Sequence, residues 1–204
     1  MHSGAYAGST LGDFSLRFGG EFGWHTIDTS RSVNFTGFSD HLTADYSGQT
    51  AQFFAEASYG FDFEQARLSP FVNMAYVYTH TDSFTEKGGD AALTGTGGRT
   101  DHAFQTIGLR LEDQVDIDEA KVTVGAMVGW QHLYGDTTPD ATLAFASSNK
   151  YNIDGASLAR DAFVFQTGAK LDMTSDITLG AAYSGQLAAG VQNHTLSLDL
   201  NMRF

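Results

Sequence analysis

At 204 residues the chain is long enough for one domain with a sizeable interior, and it holds no cysteine, so neither disulfides nor a thiolate metal centre can contribute. Its 11 Lys and Arg against 24 Asp and Glu leave a formal charge of −13, which excludes nucleic acid as a partner because phosphate binding needs clustered cations. Glycine is abundant at 23, proline is scarce at 2, and 16 Phe, 8 Tyr and 2 Trp favour many strands joined by tight turns over helices.

Mean hydropathy is −0.19 and no run approaches 18 apolar residues, which excludes a transmembrane helix. It does not exclude strands in a bilayer, since only alternate residues of such strands meet lipid. The opening residues Met1, His2, Ser3, Gly4, Ala5 and Tyr6 lack the basic, apolar and cleavage regions of a signal peptide.

Residues 3–9 read as a short strand and 10–13 as a turn. The next strand sets Phe14, Leu16, Phe18, Phe22 and Trp24 on one face, against Asp13, Ser15, Arg17, Gly19, Glu21, Gly23 and His25 on the other. Residues 29–48 read as a strand extension, a loop and a return. Then Ala51, Phe53, Ala55, Ala57, Tyr59, Phe61 and Phe63 alternate with a mixed face that carries Glu56, and 64–66 form a short link. The strand 67–81 places Leu68, Pro70, Val72, Met74, Tyr76 and Tyr78 against Arg67, Ser69, Asn73 and Thr79. Pro70 is tolerable near a strand start, where its missing N–H costs least.

Residues 82–99 form a long polar loop. Strand 102–115 carries Ile107, Leu109 and Leu111 against Gly108, Arg110 and Glu112. An acidic turn at 116–119 leads to strand 121–134, with Val122, Val124, Ala126, Val128 and Trp130 opposite Lys121, Thr123, Gly125, Gly129 and Gln131. A second long loop spans 135–158. Strand 159–172 sets Phe163, Phe165, Ala169 and Leu171 against Gln166, Gly168, Lys170 and Asp172, and strand 176–186 sets Ile177, Leu179, Ala181 and Tyr183 against Thr178, Gly180 and Ser184. Residues 187–193 connect to the last strand, where Leu196, Leu198, Leu200, Met202 and Phe204 alternate with Ser197, Asp199, Asn201 and Arg203.

This pattern predicts an all-β, antiparallel, up-and-down transmembrane barrel of outer-membrane type, with one apolar and one polar face on every strand. A soluble β-sandwich also has alternating strands, so link lengths discriminate. Links near 10–13, 64–66, 116–119 and 173–175 are short, and those at 29–48, 82–99, 135–158 and 187–193 are longer. Strict alternation of short and long fits a barrel with short periplasmic turns and longer external loops, whereas a sandwich has no reason to sort them. The count of nine strands is odd, while single-chain bacterial barrels are even. The first and last strands would both run toward the periplasm, so the single domain 1–204 is expected to be N-terminally incomplete, which also accounts for the missing signal peptide.

Six stretches carry a specific likeness: Ile27-Asp-Thr-Ser-Arg31, Ser69-Pro-Phe-Val-Asn-Met-Ala-Tyr-Val-Tyr78, Phe84-Thr-Glu-Lys-Gly-Gly-Asp-Ala-Ala-Leu-Thr94, Gly129-Trp-Gln-His132, Gly135-Asp-Thr-Thr-Pro-Asp-Ala-Thr-Leu-Ala-Phe145 and Leu158-Ala-Arg-Asp161. With the terminal strand they resemble, in order and spacing, the C-terminal translocator domain of monomeric autotransporters (type V secretion). The resemblance implies a twelve-stranded barrel in the outer membrane of a Gram-negative bacterium, of which this chain would supply the last nine strands. It also implies a helix in the lumen, joined to an N-terminal passenger that the barrel exports and anchors at the cell surface. The expected partners are the bilayer, the barrel-assembly machinery and that covalently linked passenger, absent from this sequence; the domain would be a monomer without cofactor or enzymatic activity.

The candidate residues follow. Leu198, Leu200, Met202 and Phe204 resemble the terminal assembly signal of outer-membrane barrels. Arg17, Gly19, Glu21, Gly23, Glu56, Arg110, Glu112, Lys121, Gly125, Gly129, Lys170, Asp199 and Arg203 are expected to face the lumen. The charges among them bind a lumenal helix, tune a pore or pair with one another across the lumen, and the last is the plainer reading. The glycines among them, with Gly168 and Gly180, either make room for a lumenal helix or relieve curvature. Trp24, Tyr78, Trp130 and Tyr183 suit interfacial aromatic girdles.

Alternatives remain at this level: a passive porin, or a protease acting at the barrel rim. For the latter, His80, Asp82, Asp101 and His102 flank the loop at 82–99, and a carboxylate-oriented His could activate water there. Gly12-Asp-Phe-Ser15 only vaguely resembles a serine-esterase motif and has no credible His partner, and the seven His residues show no metal-ligand spacing.

Overall fold

The computed structural model describes residues 1–64, 66–117, 120–146, 148–174 and 176–202. Among them the chain forms β1 (His2–Leu11), β2 (Phe14–Phe35), β3 (Phe38–Tyr59), β4 (Phe61–Asp62), β5 (Ala66–Thr81), β6 (Phe84–Thr85) and β7 (Leu93–Gly95). There follow β8 (Gly98–Ile117), β9 (Ala120–Tyr134), β10 (Asp140–Phe145), β11 (Tyr151–Asp154), β12 (Asp161–Asp172), β13 (Ile177–Ala188) and β14 (Val191–Met202). Nine long strands make one antiparallel wall in the order β1-β2-β3-β5-β8-β9-β12-β13-β14, with β4 paired to β5. Every neighbour in the wall is the next long strand of the chain, which is the up-and-down topology expected. Short β6, β7, β10 and β11 form a separate sheet in the order β11-β10-β7-β6.

The wall has almost no core in the sense of a soluble protein. Its apolar side chains are the exposed ones: Ile107, Leu109, Val128, Trp130 and Phe163, at the middle of the wall, are 45–48% exposed. They share one face, because Ile107 lies opposite Trp130, Leu109 opposite Val128, and Phe163 opposite Trp130. Among the described residues no second layer covers this face. A contiguous apolar surface on that scale is foreign to a water-soluble surface, so the sandwich reading fails here. Along β2 the apolar series runs from Phe14 to Trp24, ten steps of about 3.3 Å. At a tilt near 40° that is a band about 25 Å tall, the height of a bilayer-spanning barrel surface.

Two of the expected long links are corrected. Residues 29–48 are no loop: β2 and β3 stay paired rung by rung from Phe14–Tyr59 up to Phe35–Phe38. Beyond the apolar band neither face of this hairpin meets lipid, so its sequence loses clean alternation while its ladder continues. The tip is the two-residue turn Thr36-Gly37, with Gly37 at φ 86°, a conformation that favours glycine in tight hairpins. Residues 187–193 are not a long link either. β13 and β14 pair as far as Ala188–Val191, and Ala189-Gly190 makes the turn with Gly190 at φ 77°. The other two long links do rise above the rim, but they carry β6, β7, β10 and β11.

These features form a crown above one part of the wall. β5 pairs with β3 only up to Thr81–Gly48, so the last residues of β2 and first of β3 project past it. The small sheet docks on that projection through reciprocal backbone bonds between Thr43 and Lys87, at 2.9 and 2.8 Å. The rings of Tyr46 and Phe84 stack at 4.7 Å. Leu42, fully buried, sits in this crown rather than in the wall.

An ion pair locks the crown. Arg31 on β2 donates to both Glu86 oxygens, at 3.2 and 2.6 Å, and to Ala91 O at 2.9 Å. Glu86 also accepts the Leu93 amide at 2.9 Å, and Asp40 accepts the Ala91 amide at 2.9 Å. The hydrogen bond from Arg31, with the Leu93 amide, holds the Glu86 carboxyl below its ordinary value. Since its folded-state pKa is depressed, Glu86 contributes stability that is fully present above the unfolded value and is lost as pH falls through the folded one. Asp28 runs the other way: its hydrogen bond to Asp45, directly across the hairpin, raises its carboxyl above the ordinary value. Protection of the Leu93 amide against hydrogen exchange is therefore expected to fall as pH drops below about 4.5. Glu86→Gln should lower that protection about tenfold at neutral pH and flatten its acid dependence. Equal protection in both proteins would overturn this account.

Candidate functional site

The polar face of the wall is its concave side. Gln186 on β13 donates to Gln131 on β9 at 3.0 Å, across the intervening β12. Arg110 on β8 reaches Glu56 on β3 at 3.1 and 3.3 Å, across β5. Strands two apart are separated by about 9–10 Å, so such chords close only where the sheet curls toward these side chains.

The register places the lumen candidates among the described residues on this one face. Arg17 lies opposite Glu56, Glu21 opposite Gln52, and Glu112 opposite Gly125, which lies opposite Gly168. Lys121 lies opposite Asp172, Gly129 opposite Val164, and Lys170 opposite Gly180, itself opposite Asp199. Arg203 and Phe204 lie outside the described residues. Leu198, Leu200 and Met202 line the apolar face of β14, opposite Ala181, Leu179 and Ile177. Leu196 and Leu198 are 72% and 78% exposed, more than their counterparts at mid-wall, because β14 pairs on one side only. β1 is likewise paired only to β2.

The charged candidates divide into two groups. Arg17, Glu56 and Arg110 converge: Glu56 is 9% exposed, Arg17 stands at 3.5 Å from it, and Arg110 grips both carboxylate oxygens. The Arg110 guanidinium also lies 4.9 Å from the centre of the Phe71 ring. Glu21 takes a bond from Gln52 at 3.2 Å and stands 3.3 Å from His2. By contrast Glu112, Lys121, Lys170 and Asp199 form no ion pair among the described residues.

The glycines also divide, a distinction the spacing did not reveal. A Cβ on Gly19 would stand 2.6 Å from the ring of its cross-strand partner Phe54, and one on Gly108 would stand 2.7 Å from the ring of its partner Phe71. An aromatic ring laid over a glycine supplies the packing that glycine lacks. Gly125 is different: its nearest neighbour would be 3.7 Å away, so it opens onto the concave space. Phe54 and Phe71 are the residues that sequence reasoning missed, because the glycine–ring pairing depends on register.

Of the residues weighed for a rim hydrolase, His80, Asp82 and Asp101 lie on the outward side, where Asp101 stands 3.9 Å from Arg99, and His102 is on the other face. His80 stands 3.3 Å from Asp82 and faces outward beside Arg99, whereas His102 is on the concave face and bonds Asp136 O at 3.1 Å. Trp24, Tyr78, Trp130 and Tyr183 all stand on the apolar face, with Trp24 and Tyr78 at the upper edge of the band. The Trp130 indole and the His132 ring both bond Asp161, at 3.0 and 2.7 Å. An aromatic body with a polar partner at its tip is the side chain expected at a bilayer–water boundary.

Comparison with known proteins agrees with this geometry. The profile of the autotransporter beta-domain family matches residues 1–184. Two extracellular serine proteases of Serratia marcescens are each 32% identical to the chain over 204 residues. The match covers 100% of this chain and 20% of each relative, so the chain spans a minor part of their length. Among solved structures, the translocator domain of the autotransporter NalP from Neisseria meningitidis superposes with a TM-score of 0.70 at 19% identity, covering 100% of this chain and 66% of that one.

Proposed function

The chain belongs to the autotransporter beta-domain family, and from that premise we propose that it is the outer-membrane translocator which exports and anchors a covalently linked passenger. One observation carries the reading: a curled antiparallel wall exposes a continuous apolar band on its convex face and charged, amide and glycine residues on its concave face. Convex apolar residues hold the wall in lipid of a Gram-negative outer membrane. The concave side, with Arg17, Glu21, Glu56, Arg110, Glu112, Lys121, Lys170 and Asp199, lines the route of the exported segment. Glu112, Lys170 and Asp199, which form no ion pair among the described residues and stand near open Gly125, are the side chains offered to it.

Further strands preceding residue 1 pair with the free edge of β1 and close the barrel against β14. This is consistent with the share of the NalP domain that the chain covers. Leu198, Leu200, Met202 and Phe204 present the terminal strand to the assembly machinery. The domain works as a monomer and is itself not catalytic. The protease activity named for the Serratia relatives resides outside the stretch they share with this chain.

The test is surface display by the full-length protein in Gram-negative cells. External protease should remove the passenger from intact cells, and a chain truncated after Ala188, without β14, should show none at the surface. A passenger equally accessible without β14 would overturn the proposal.

A further inference from the structure

The external end of the concave face is covered on one side. Leu133 and Ala162 have the same orientation as Gln131 and Gln166, toward the concave space, yet they are only 1% and 4% exposed. The cover is the strap 155–160, between β11 and β12. It is tied down by Gly155 N to Pro139 O and Leu158 N to Thr137 O, both 2.7 Å, and by the Leu133 amide to Arg160 O at 2.8 Å. The Arg160 guanidinium bonds back to the carbonyls of Leu133 and Gly135, at 3.4 and 3.2 Å. The strap therefore leans inward over the mouth and does not stand clear of it.

Beneath it runs a row of carboxamides. Asn193 donates to Gln186 at 3.4 Å, Gln186 to Gln131 at 3.0 Å, and Gln131 to Thr106 at 3.3 Å. The row and strap residues 156–159 line one cavity. Each amide has two N–H groups and an oxygen with two lone pairs. Gln131 and Gln186 each use one of each within the row, which leaves one donor and one acceptor on both. Among the described residues no charged side chain lines this cavity, although the three amides also border the deeper space lined by Glu56 and Arg110. Neutral donors and acceptors beneath the strap match the N–H and C=O groups that every extended polypeptide carries, and they discriminate little among its side chains.

We propose that the strap 155–160 and the amides of Gln131, Gln186 and Asn193 form an exit collar that grips the main chain of the exported polypeptide. The inference rests on the translocator reading, since it names what the exported segment meets at the mouth. In the collar the free donor and acceptor of Gln131 and Gln186 replace water on the passing backbone, and the strap keeps the chain against them. The result is a hold that does not depend on the sequence being exported.

The experiment places a photoreactive residue singly at Leu158, Gln186 and Gln166 of the full-length protein, during export in cells. Gln166 lies deeper on the same concave face. Crosslinks to the passenger are expected at all three positions. Combining the Leu158 probe with Gln131→Leu and Gln186→Leu should abolish its crosslink while the Gln166 crosslink persists. Crosslinks at Gln166 alone would overturn the collar and leave the translocator reading intact, as would a Leu158 crosslink unchanged by the two substitutions. A passenger that reaches the surface without crosslinking at any of the three would overturn both.

Discussion

Replacing Leu111 by arginine is expected to destabilise the folded protein in a bilayer by about 1–3 kcal/mol, because a cation on the lipid face of a barrel costs about 2–4 kcal/mol at the midplane and about 0–1 kcal/mol near the interfaces. Leu111 lies opposite Leu68 on β5 and Ala126 on β9. Ala126 is midway along the outward series from Val122 to Trp130, while Leu68 opens the outward series of β5, which puts Leu111 inside the apolar band, between its middle and its lower edge. The side chain is 45% exposed to the surroundings of the protein. If those surroundings were water, arginine there would change stability by no more than about 0.5 kcal/mol, as exposed substitutions usually do. Urea unfolding of the refolded full-length protein in lipid vesicles separates the two. Leu111→Ala, which keeps the position apolar, should cost less than the arginine. An arginine variant as stable as the parent would mean that this face does not meet hydrocarbon.

That prediction depends only on the face a residue occupies, the property most readable in the chain. Period-two alternation needs one face in lipid and one out of it, and wherever both hold, as from Phe14 to Trp24 or from Leu196 to Met202, the sides could be assigned residue by residue. Legibility ended where the lipid ended. Ser30, Ser32 and Asn34 continue β2 above the band, but with water on both sides nothing selects apolar residues at alternate positions, and the segment resembled a loop. Its strand character comes from the ladder to β3 and from Gly37 at the tip. The turn at Ala189-Gly190 is hidden for a related reason: Gln192, Asn193 and His194 carry polar side chains on both faces of β14 near the rim, so the period-two pattern begins only at Leu196.

The crown and the inner wall were illegible for another reason. Arg31 and Glu86 are 55 residues apart, and Arg110 and Glu56 are 54 apart. Each residue is an ordinary charge in the sequence; only the register of several strands, and the curl of the sheet, bring it to its partner. The glycine–ring pairs follow the same logic. Gly19 reads as open space until Phe54 is found directly across the ladder. Close packing inside a barrel wall is a property of pairs, and one strand's pattern carries only half of each pair.

Removing Glu56 tests whether such a pair holds the wall's curl. Glu56→Ala is expected to destabilise the protein by about 3 kcal/mol, because loss of one partner leaves the remaining charge half-buried without compensation. The stranded group is chiefly Arg110, whose side chain is 21% exposed and held against Phe71; Arg17, at 43%, can turn to water. Arg17→Met should therefore cost less than about 1 kcal/mol, in the range of exposed pairs. The double variant Glu56→Ala with Arg110→Met should recover part of the loss, since it removes the isolated charge along with the bridge. Vesicle unfolding midpoints for the parent, Glu56→Ala, Arg110→Met and the double variant close the cycle. If Glu56→Ala and the double variant were equally unstable, the cost would lie in lost packing between β3 and β8. If instead Glu56→Ala matched the parent, the chord across β5 would contribute nothing, and the strand register alone would hold the curl.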